Sequence, residues 1–192
     1  MHTLTAAQMF GVAQEKVTKE QRSVAKMINF GIAYGITPIG LANRLKASGV
    51  ETNESQCERF VNDYFKNFSG VKRFLDQTGR TLRKQGYVTT LGGRRRRLRG
   101  NIAREIRQAQ NFVIQGTGAD LAKFSLCRIH ETLPNGARLV SMIHDEIVVE
   151  ASAEQAAEVC AMMVEVMETK PRNFAVPLKV DTHIVERWSE AK

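Results

Sequence analysis

The sequence predicts a helix-rich α+β fold, in which a helical first two thirds is followed by a small unit of strands and helices. Two observations indicate it. Apolar residues recur at helical spacing, between capping signals, as far as about residue 132. Beyond a turn at 134–136, two short apolar strands flank a polar tip at 144–146. At 192 residues and 43% hydrophobic content, the chain can bury a core.

Capping signals predict five helices in the first 85 residues. A short helix covers Thr5–Phe10, and a capping box at Thr18–Gln21 begins a long helix that ends at Gly35. Thr37, followed by Pro38, opens a helix to Gly49. The last two helices begin at a cap over Asn53–Gln56 and at about Gly70, and the second of them ends near Gln85.

The second half of the chain mixes strands and helices. A hairpin is predicted from a strand at Tyr87–Leu91, a turn at Gly92-Gly93 and a returning arginine run. A helix is then expected from Asn101 to about Gln115, and a second from Ala119 to Thr132 after an interruption at Gly116–Gly118. The strands 138–143 and 147–151 follow. A last helix from Ser152 to about Glu168 and a last strand over Val176–Ile184 complete the prediction.

The charge pattern indicates a polyanionic partner. The net charge is +8 and the sequence pI is about 9.7, so nucleic acid is the first candidate and an anionic membrane surface the second. Nine cations fall close together and are opposed mainly by Glu105: Arg83, Lys84, Arg94, Arg95, Arg96, Arg97, Arg99, Arg104 and Arg107. Four consecutive arginines suit phosphate contacts, although a solvated charge run is the usual alternative.

Other compositional features exclude some classes of protein. Three cysteines, odd in number and in no CxxC pattern, indicate reduced thiols in a cytoplasmic protein and make a zinc site improbable. No apolar run approaches the roughly 18 residues of a membrane span. We therefore expect a cytoplasmic protein.

The long helix carries the most informative pattern. Arg22, Lys26, Phe30 and Tyr34 follow one another at intervals of four, which places them along one helix face over about 18 Å. Two cations followed by two aromatic rings match a polyphosphate joined to a flat heterocycle. This face therefore predicts nucleoside triphosphate binding, although amphipathic core helices also place basic stems beside aromatic residues.

Two further groups of residues are candidates for chemistry. Asp145 lies in the polar tip between two apolar strands, where a carboxylate can bind a divalent cation; an ordinary β-turn aspartate is the alternative. Arg107, Asn111 and Gln115 repeat the four-residue spacing and could contact a nucleic-acid backbone or minor groove, unless they form a solvated helix face.

Taken together and in order, these segments resemble the C-terminal part of a family A DNA polymerase. The helix from Arg22 to Gly35 is similar to motif B of the fingers. The segment from Gly86 to Arg96 resembles the Gly-Tyr-Val-x-Thr-x-x-Gly-Arg-Arg-Arg signature, and Gln115–Asp120 resembles Gln-Gly-Thr-x-Ala-Asp. The tip at 144–146 resembles motif C of the palm. The resemblance implies fingers over 1–85 and a partial palm with a small antiparallel sheet over 86–192.

The resemblance also implies roles for single residues. Arg22 and Lys26 would bind the triphosphate of an incoming deoxynucleotide, with Lys26 as proton donor to the pyrophosphate. Phe30 would lie against the sugar and base, and Tyr34 at the templating position. Asp145 would bind Mg²⁺, with Glu146 as a further candidate ligand. The DNA contacts would come from the primer-end residue His144, from the duplex residues Arg107, Asn111 and Gln115, and from the phosphate-contacting Arg94, Arg95 and Arg96.

One family motif is missing from this sequence. Two-metal phosphoryl transfer uses aspartates from motifs A and C, and the sequence contains nothing like the motif A pattern Asp-Tyr-Ser-x-x-Glu-Leu-Arg. We therefore expect a chain that is inactive alone and needs a second polypeptide carrying motif A and the thumb. A catalytically dead DNA-binding remnant or truncated polymerase is the alternative, and a fragment of a phage-type RNA polymerase is a further one.

Overall fold

The computed structural model describes residues 2–99, 102–171 and 174–191. Its contacts divide the chain into two compact units, Met1–Val88 with Arg97–Asn111, and Thr89–Arg96 with Phe112–Lys192. The described residues confirm a helix-rich α+β chain with two small antiparallel sheets. Assignment of residues 1–85 to fingers and 86–192 to palm stays a prediction.

The first unit is mainly helical. Its helices are α1 (His2–Phe10), α2 (Lys19–Ala33), α3 (Pro38–Ala47), α4 (Glu54–Asn67) and α5 (Ser69–Gln85), with a 3₁₀ turn at Gln14–Lys16. Helix α1 packs on α2, α3 on α4, and α4 on α5. The core between α2, α3 and α4 includes Ile28, Leu41 and Leu45, none of which is exposed. Burying each such side chain contributes about 1.5–3 kcal/mol.

The predicted starts of α2, α3 and α4 are confirmed because the capping side chains act locally, whereas α1 begins at His2, three residues before the predicted Thr5. Thr18 and Gln21 exchange side-chain and backbone hydrogen bonds in a complete capping box at the start of α2. Asn53 and Gln56 do the same at α4. Such caps satisfy N–H groups that no helical carbonyl can reach. They also fix the rotation of α2, and with it the face that its side chains present.

The remaining elements are a hairpin, a long helix and a strand pair. Strands β1 (Tyr87–Thr89) and β2 (Arg95–Arg97) are followed by α6 (Ala103–Thr132). In the second unit, β3 (Arg138–Ile143) pairs antiparallel with β4 (Glu146–Glu150), with Ile143 opposite Glu146. Helix α7 (Ala156–Glu168) and a 3₁₀ turn at Trp188–Glu190 complete it. No described helix has both the length and the apolar character needed to cross a membrane.

The predicted interruption of α6 at Gly116–Gly118 is wrong. The helix is continuous, and Thr117 within it donates its hydroxyl to the carbonyl of Val113 at 2.6 Å. A Cβ on Gly116 would lie 2.6 Å from Cγ2 of Thr90. Gly116 therefore allows a close approach of the hairpin and does not end the helix, since tertiary packing outweighs the roughly 1 kcal/mol cost of glycine.

Three smaller predictions also need correction. Helix α7 begins at Ala156 because 152–155 form a turn, in which the Gln155 amide donates to the Ser152 carbonyl. Glu146 is the first residue of β4 and lies outside the two-residue turn. The described residues of 176–184 form no strand, since no described strand pairs with them and an isolated strand lacks hydrogen-bond partners. The predicted helix cap at Asn101 lies outside the described residues.

Candidate nucleotide and nucleic-acid site

The face of α2 that carries Arg22, Lys26, Phe30 and Tyr34, here called the α2 face, is exposed in the structure because the opposite face of the helix is buried. Val24, Ile28 and Ile32 point into the helical core of the first unit, with at most 8% of each residue exposed. This burial leaves Arg22 and Lys26 in solvent on the other side. The two cations therefore lie on a free surface, one turn apart.

The aromatic half of this face is also exposed. Phe30 is 45% exposed and Tyr34 is 44% exposed, so neither ring belongs to the core. Their ring centroids lie 6.5 Å apart with planes inclined by 21°, a stacked arrangement. The interpretation of these rings as core residues is therefore excluded. Half-exposed aromatic rings can stack on a flat ligand.

His2 belongs to the same face, and the sequence analysis missed it. Its ring lies 5.6 Å from the Phe30 ring, and its Nδ1 accepts a hydrogen bond from the Asn29 amide at 2.8 Å. Thr5 in turn donates to Asn29 Oδ1 at 3.2 Å. An accepting Nδ1 leaves the proton on Nε2. The pKa of His2 lies below its usual value because of partial burial and the neighbouring charges of Arg22 and Lys26.

Gly35 connects the face to Arg107 of α6, in the same unit. Its φ is +70°, a conformation that favours glycine. A Cβ on Gly35 would lie 2.6 Å from both Cγ and Cδ of Arg107. The arginine stem therefore covers the Gly35 backbone. This contact places Arg107 beside the end of the α2 face.

Replacing Gly35 with Ala should destabilise the first unit by about 2 kcal/mol or more. The left-handed conformation costs a residue with a Cβ about 1–2 kcal/mol, and displacing the Arg107 stem adds to this cost. Gly49→Ala is a matched control, because φ there is +79° but no described atom lies within 4 Å of the added Cβ. Urea unfolding of both variants tests the prediction. Equal destabilisation would show that Arg107 contributes nothing.

The predicted carboxylates lie at the β3–β4 turn of the second unit, Asp145 within the turn and Glu146 directly after it at the start of β4. His144 and Asp145 form the turn, and both are exposed. His144 has φ +57° and is the one described non-glycine residue with positive φ. Such strain is often found at functional sites. Glu146 accepts a hydrogen bond from the Trp188 indole. Among described residues, no three His, Cys, Asp or Glu side chains form a group able to hold a metal.

Exposed carboxylates on a turn fit magnesium in their chemistry. Mg²⁺ prefers oxygen ligands and is commonly held by one or two carboxylates together with substrate phosphates and water. Asp145 and Glu146 offer such oxygens at one end of the β3–β4 pair. The donor set is compatible with the predicted ion, which would still need ligands from elsewhere.

The basic hairpin lies partly in this second unit. Arg95 and Arg96 are exposed on β2, whereas the Arg94 guanidinium is paired with Asp120 at 3.0 Å. The guanidinium of Arg96 also lies 5.7 Å from the centre of the Phe112 ring. Exposed cations on a small rigid hairpin suit a phosphate backbone.

The predicted site residues fall into two groups. The first unit holds Arg22, Lys26, Phe30, Tyr34, Arg107 and Asn111, and the second holds Arg94, Arg95, Arg96, Gln115, His144, Asp145 and Glu146. Asn111 is half-buried and Gln115 is exposed, and α6 carries both. The first group suits a nucleotide, and the second offers carboxylates and phosphate-binding cations.

Comparison with known proteins shows the family of the chain. The family model "DNA polymerase family A" matches residues 1–190. DNA polymerase I of Bacillus caldotenax is 39% identical over the whole chain, and the thermostable DNA polymerase I of Thermus aquaticus is 40% identical. The chain spans only 22% and 23% of these relatives.

A solved structure is also similar. The POL domain of Pol1 from M. smegmatis, in complex with DNA primer-template and dNTP, matches 87% of this chain with a TM-score of 0.77 and 29% identity. The match covers 30% of that chain.

The two groups contain the residue types that bind phosphates, flat rings and divalent cations. The chain belongs to DNA polymerase family A. This membership favours the DNA enzyme over the RNA polymerase alternative.

Proposed function

We propose that this chain takes part in template-directed DNA synthesis and supplies the surface that binds the incoming deoxynucleoside triphosphate. The exposed α2 face carries this proposal: two solvent-exposed cations are followed by two half-exposed, stacked rings on one helix. Family membership and the dNTP in the similar M. smegmatis structure support it. We place the protein in the bacterial or phage-infected cytoplasm, at the nucleoid.

Each residue of the α2 face contacts the part of the nucleotide that suits its chemistry. Arg22 and Lys26 attract the triphosphate, and the Lys26 ammonium can give a proton to the leaving pyrophosphate. Phe30 contacts the sugar and base, and Tyr34 lies at the templating position. His2, whose Nδ1 accepts from Asn29, can donate from Nε2 one more hydrogen bond to a phosphate oxygen.

The remaining predicted residues bind DNA or metal. Asp145, with Glu146 as a further ligand, would hold Mg²⁺, and the bound ion would neutralise charge on the phosphate oxygens. His144 contacts the primer end. The duplex contacts come from Arg95 and Arg96 at the phosphates, and from Arg107, Asn111 and Gln115 along the minor groove.

The second metal-binding carboxylate comes from a polypeptide segment outside this chain. Two-metal phosphoryl transfer needs carboxylates that bridge both ions. The described residues hold no group of three metal-ligating side chains, and the sequence contains no motif A pattern. A polypeptide carrying motif A and the thumb would supply what is missing. Without it, the chain would act only as a DNA-binding remnant.

Primer-template DNA binding by the purified chain tests the DNA part of the proposal. Fluorescence anisotropy with labelled duplex should show binding that weakens with salt, because the protein releases counterions from the phosphates. Arg95→Gln with Arg96→Gln should reduce the slope of log K against log [salt] by about 1.8, at roughly 0.9 per phosphate contact.

A matched double variant controls for loss of charge. Arg44 and Lys46 are exposed in the last turn of α3, and replacing both with Gln removes the same charge. We expect this variant to keep a slope close to that of the wild type. No salt-dependent binding by the wild-type chain, or an equal loss in both double variants, would contradict the proposal.

A further inference from the structure

Arg94 makes several close contacts with α6 through its guanidinium group. Its Nη2 lies 3.0 Å from Asp120 Oδ1 and donates to the Gly116 carbonyl at 2.9 Å. The guanidinium also lies 5.5 Å from the centre of the Phe112 ring. All three partners are on α6. A guanidinium has several N–H donors and can bind more than one acceptor at once. In Arg94, these donors bind groups of α6.

The Asp120 side chain also packs against the hairpin turn at Gly92. A Cβ on Gly92 would lie 2.8 Å from Asp120 Oδ2, so the carboxylate occupies the space that a side chain at 92 would need. This Oδ2 atom is buried and has no hydrogen-bond partner among the described residues. A partly buried carboxylate with one unsatisfied oxygen carries a desolvation cost. The Asp120 carboxylate lies beside the hairpin turn despite this cost.

Backbone hydrogen bonds extend the same attachment. The Leu91 amide donates to Thr117 Oγ1 at 3.1 Å, and the Arg94 amide donates to Thr90 Oγ1 at 3.1 Å. Thr90 lies against Gly116, where no side chain could fit. The turn residues 90–94 are thus held to one stretch of α6, residues 112–120. Arg95 and Arg96 follow directly and remain exposed.

We propose that Arg94 and Asp120 are positioning residues, which hold the hairpin on α6 so that Arg95 and Arg96 face the DNA backbone. Arg94 then acts through the hairpin and is not itself a phosphate ligand. The inference rests on the proposed DNA binding. It also predicts an effect of unusual sign, because Asp120 strengthens the binding of a polyanion although it is itself an anion.

Asp120→Asn distinguishes positioning from simple electrostatics. Removing a negative charge ordinarily tightens DNA binding, and it would also free Arg94 for a phosphate. Positioning predicts the opposite, a loss of primer-template affinity of roughly three- to tenfold, the scale of one lost hydrogen bond. Glu131→Gln is the matched control, since this exposed residue of α6 makes no ion pair in the described part of the chain. The control should bind equally or slightly more tightly.

Gly92→Ala tests the same arrangement without changing any charge. The added Cβ would displace the Asp120 carboxylate, so affinity should fall as in Asp120→Asn. This variant keeps the inference testable if Asp120→Asn fails to fold, which thermal unfolding by circular dichroism would show. Arg94→Gln and the double variant Arg94→Gln/Asp120→Asn complete a cycle. If Arg94 and Asp120 act as a pair, the double variant should bind primer-template DNA no more weakly than Arg94→Gln alone.

Hydrogen exchange separates this inference from the proposed function. In Asp120→Asn, the Leu91 amide, which donates to Thr117 of α6, should exchange faster because the hairpin is released from α6. Unchanged exchange, or tighter DNA binding by Asp120→Asn, would overturn the positioning role. If the wild-type chain failed to bind DNA, the proposed function would fall, and the exchange rates would still decide whether Asp120 holds the hairpin.

Discussion

Replacing Asp145 with Ala should reduce primer extension by at least about 10³-fold in a complex with a polypeptide that carries motif A. A metal-bound oxygen contributes several kcal/mol of transition-state stabilisation, and each 1.36 kcal/mol is a factor of ten in rate. Asp145 is exposed at the two-residue turn, so its removal should not disturb the core. DNA binding should stay within a fewfold of wild type, because the cations remain.

Asp181→Ala is the control for Asp145. Asp181 is also an exposed aspartate of the second unit, and it lies outside every described strand and helix. Its replacement should leave the extension rate unchanged. If Asp145→Ala kept more than a tenth of the wild-type rate, the metal role of the β3–β4 turn would be wrong.

Replacing Lys26 with Met should reduce kcat by about 10²–10³-fold and raise KM much less. A positioned proton donor commonly contributes 10²–10⁴-fold, whereas a cation that only binds the triphosphate would act mainly on KM. Met keeps the apolar length of the Lys stem. It therefore preserves contacts along α2 while it removes the ammonium. Single-nucleotide incorporation measured over a range of dNTP concentrations gives both constants.

Two further variants serve as a control and as a comparison for Lys26→Met. Lys46→Met removes an exposed lysine from the last turn of α3, away from the α2 face, and should change neither constant. Arg22→Met should raise KM more than it lowers kcat, because Arg22 binds phosphate without giving a proton. If Lys26→Met raised KM alone, the proton-donor role would be excluded, while triphosphate binding would stand.

The predictions that rested on local interactions are confirmed by the structure. The capping boxes at Thr18 and Asn53 begin helices, because a cap depends on residues only three positions apart. The common helix face of Arg22, Lys26, Phe30 and Tyr34 followed from helical periodicity alone, whereas the exposure of the two rings required the structure. The β3–β4 turn followed from two apolar runs around a polar tip. In each case, the sequence interval contains all the groups that interact.

The features that sequence analysis missed depend on long-range contacts. Gly116 was predicted to break α6, but the hairpin at Thr90 needs a residue without a side chain there. The pairing of Arg94 with Asp120 joins residues 26 positions apart, and the approach of Arg107 to Gly35 joins residues 72 apart. No short pattern marks such pairs. The predicted C-terminal strand failed for the same reason, because a strand requires a partner that its own sequence does not specify.

His2 shows what a closer interpretation of the sequence could have found. Asn29 is a polar residue on the buried face of α2, only 5% exposed, and a buried amide needs partners. Its partners are His2 and Thr5, both on α1. The position of Asn29 between two apolar residues was the available signal. The identity of the partners required the packing of α1 on α2.

Primer extension with and without a complementing polypeptide tests the central claim most directly. The purified chain is incubated with labelled primer-template, Mg²⁺ and four deoxynucleotides, alone and mixed with a polypeptide that carries Asp-Tyr-Ser-x-x-Glu-Leu-Arg and the thumb. We predict no extension by the chain alone and extension in the mixture, which Asp145→Ala abolishes. Extension by the chain alone would contradict the account, and so would an inactive mixture in which the two polypeptides bind each other.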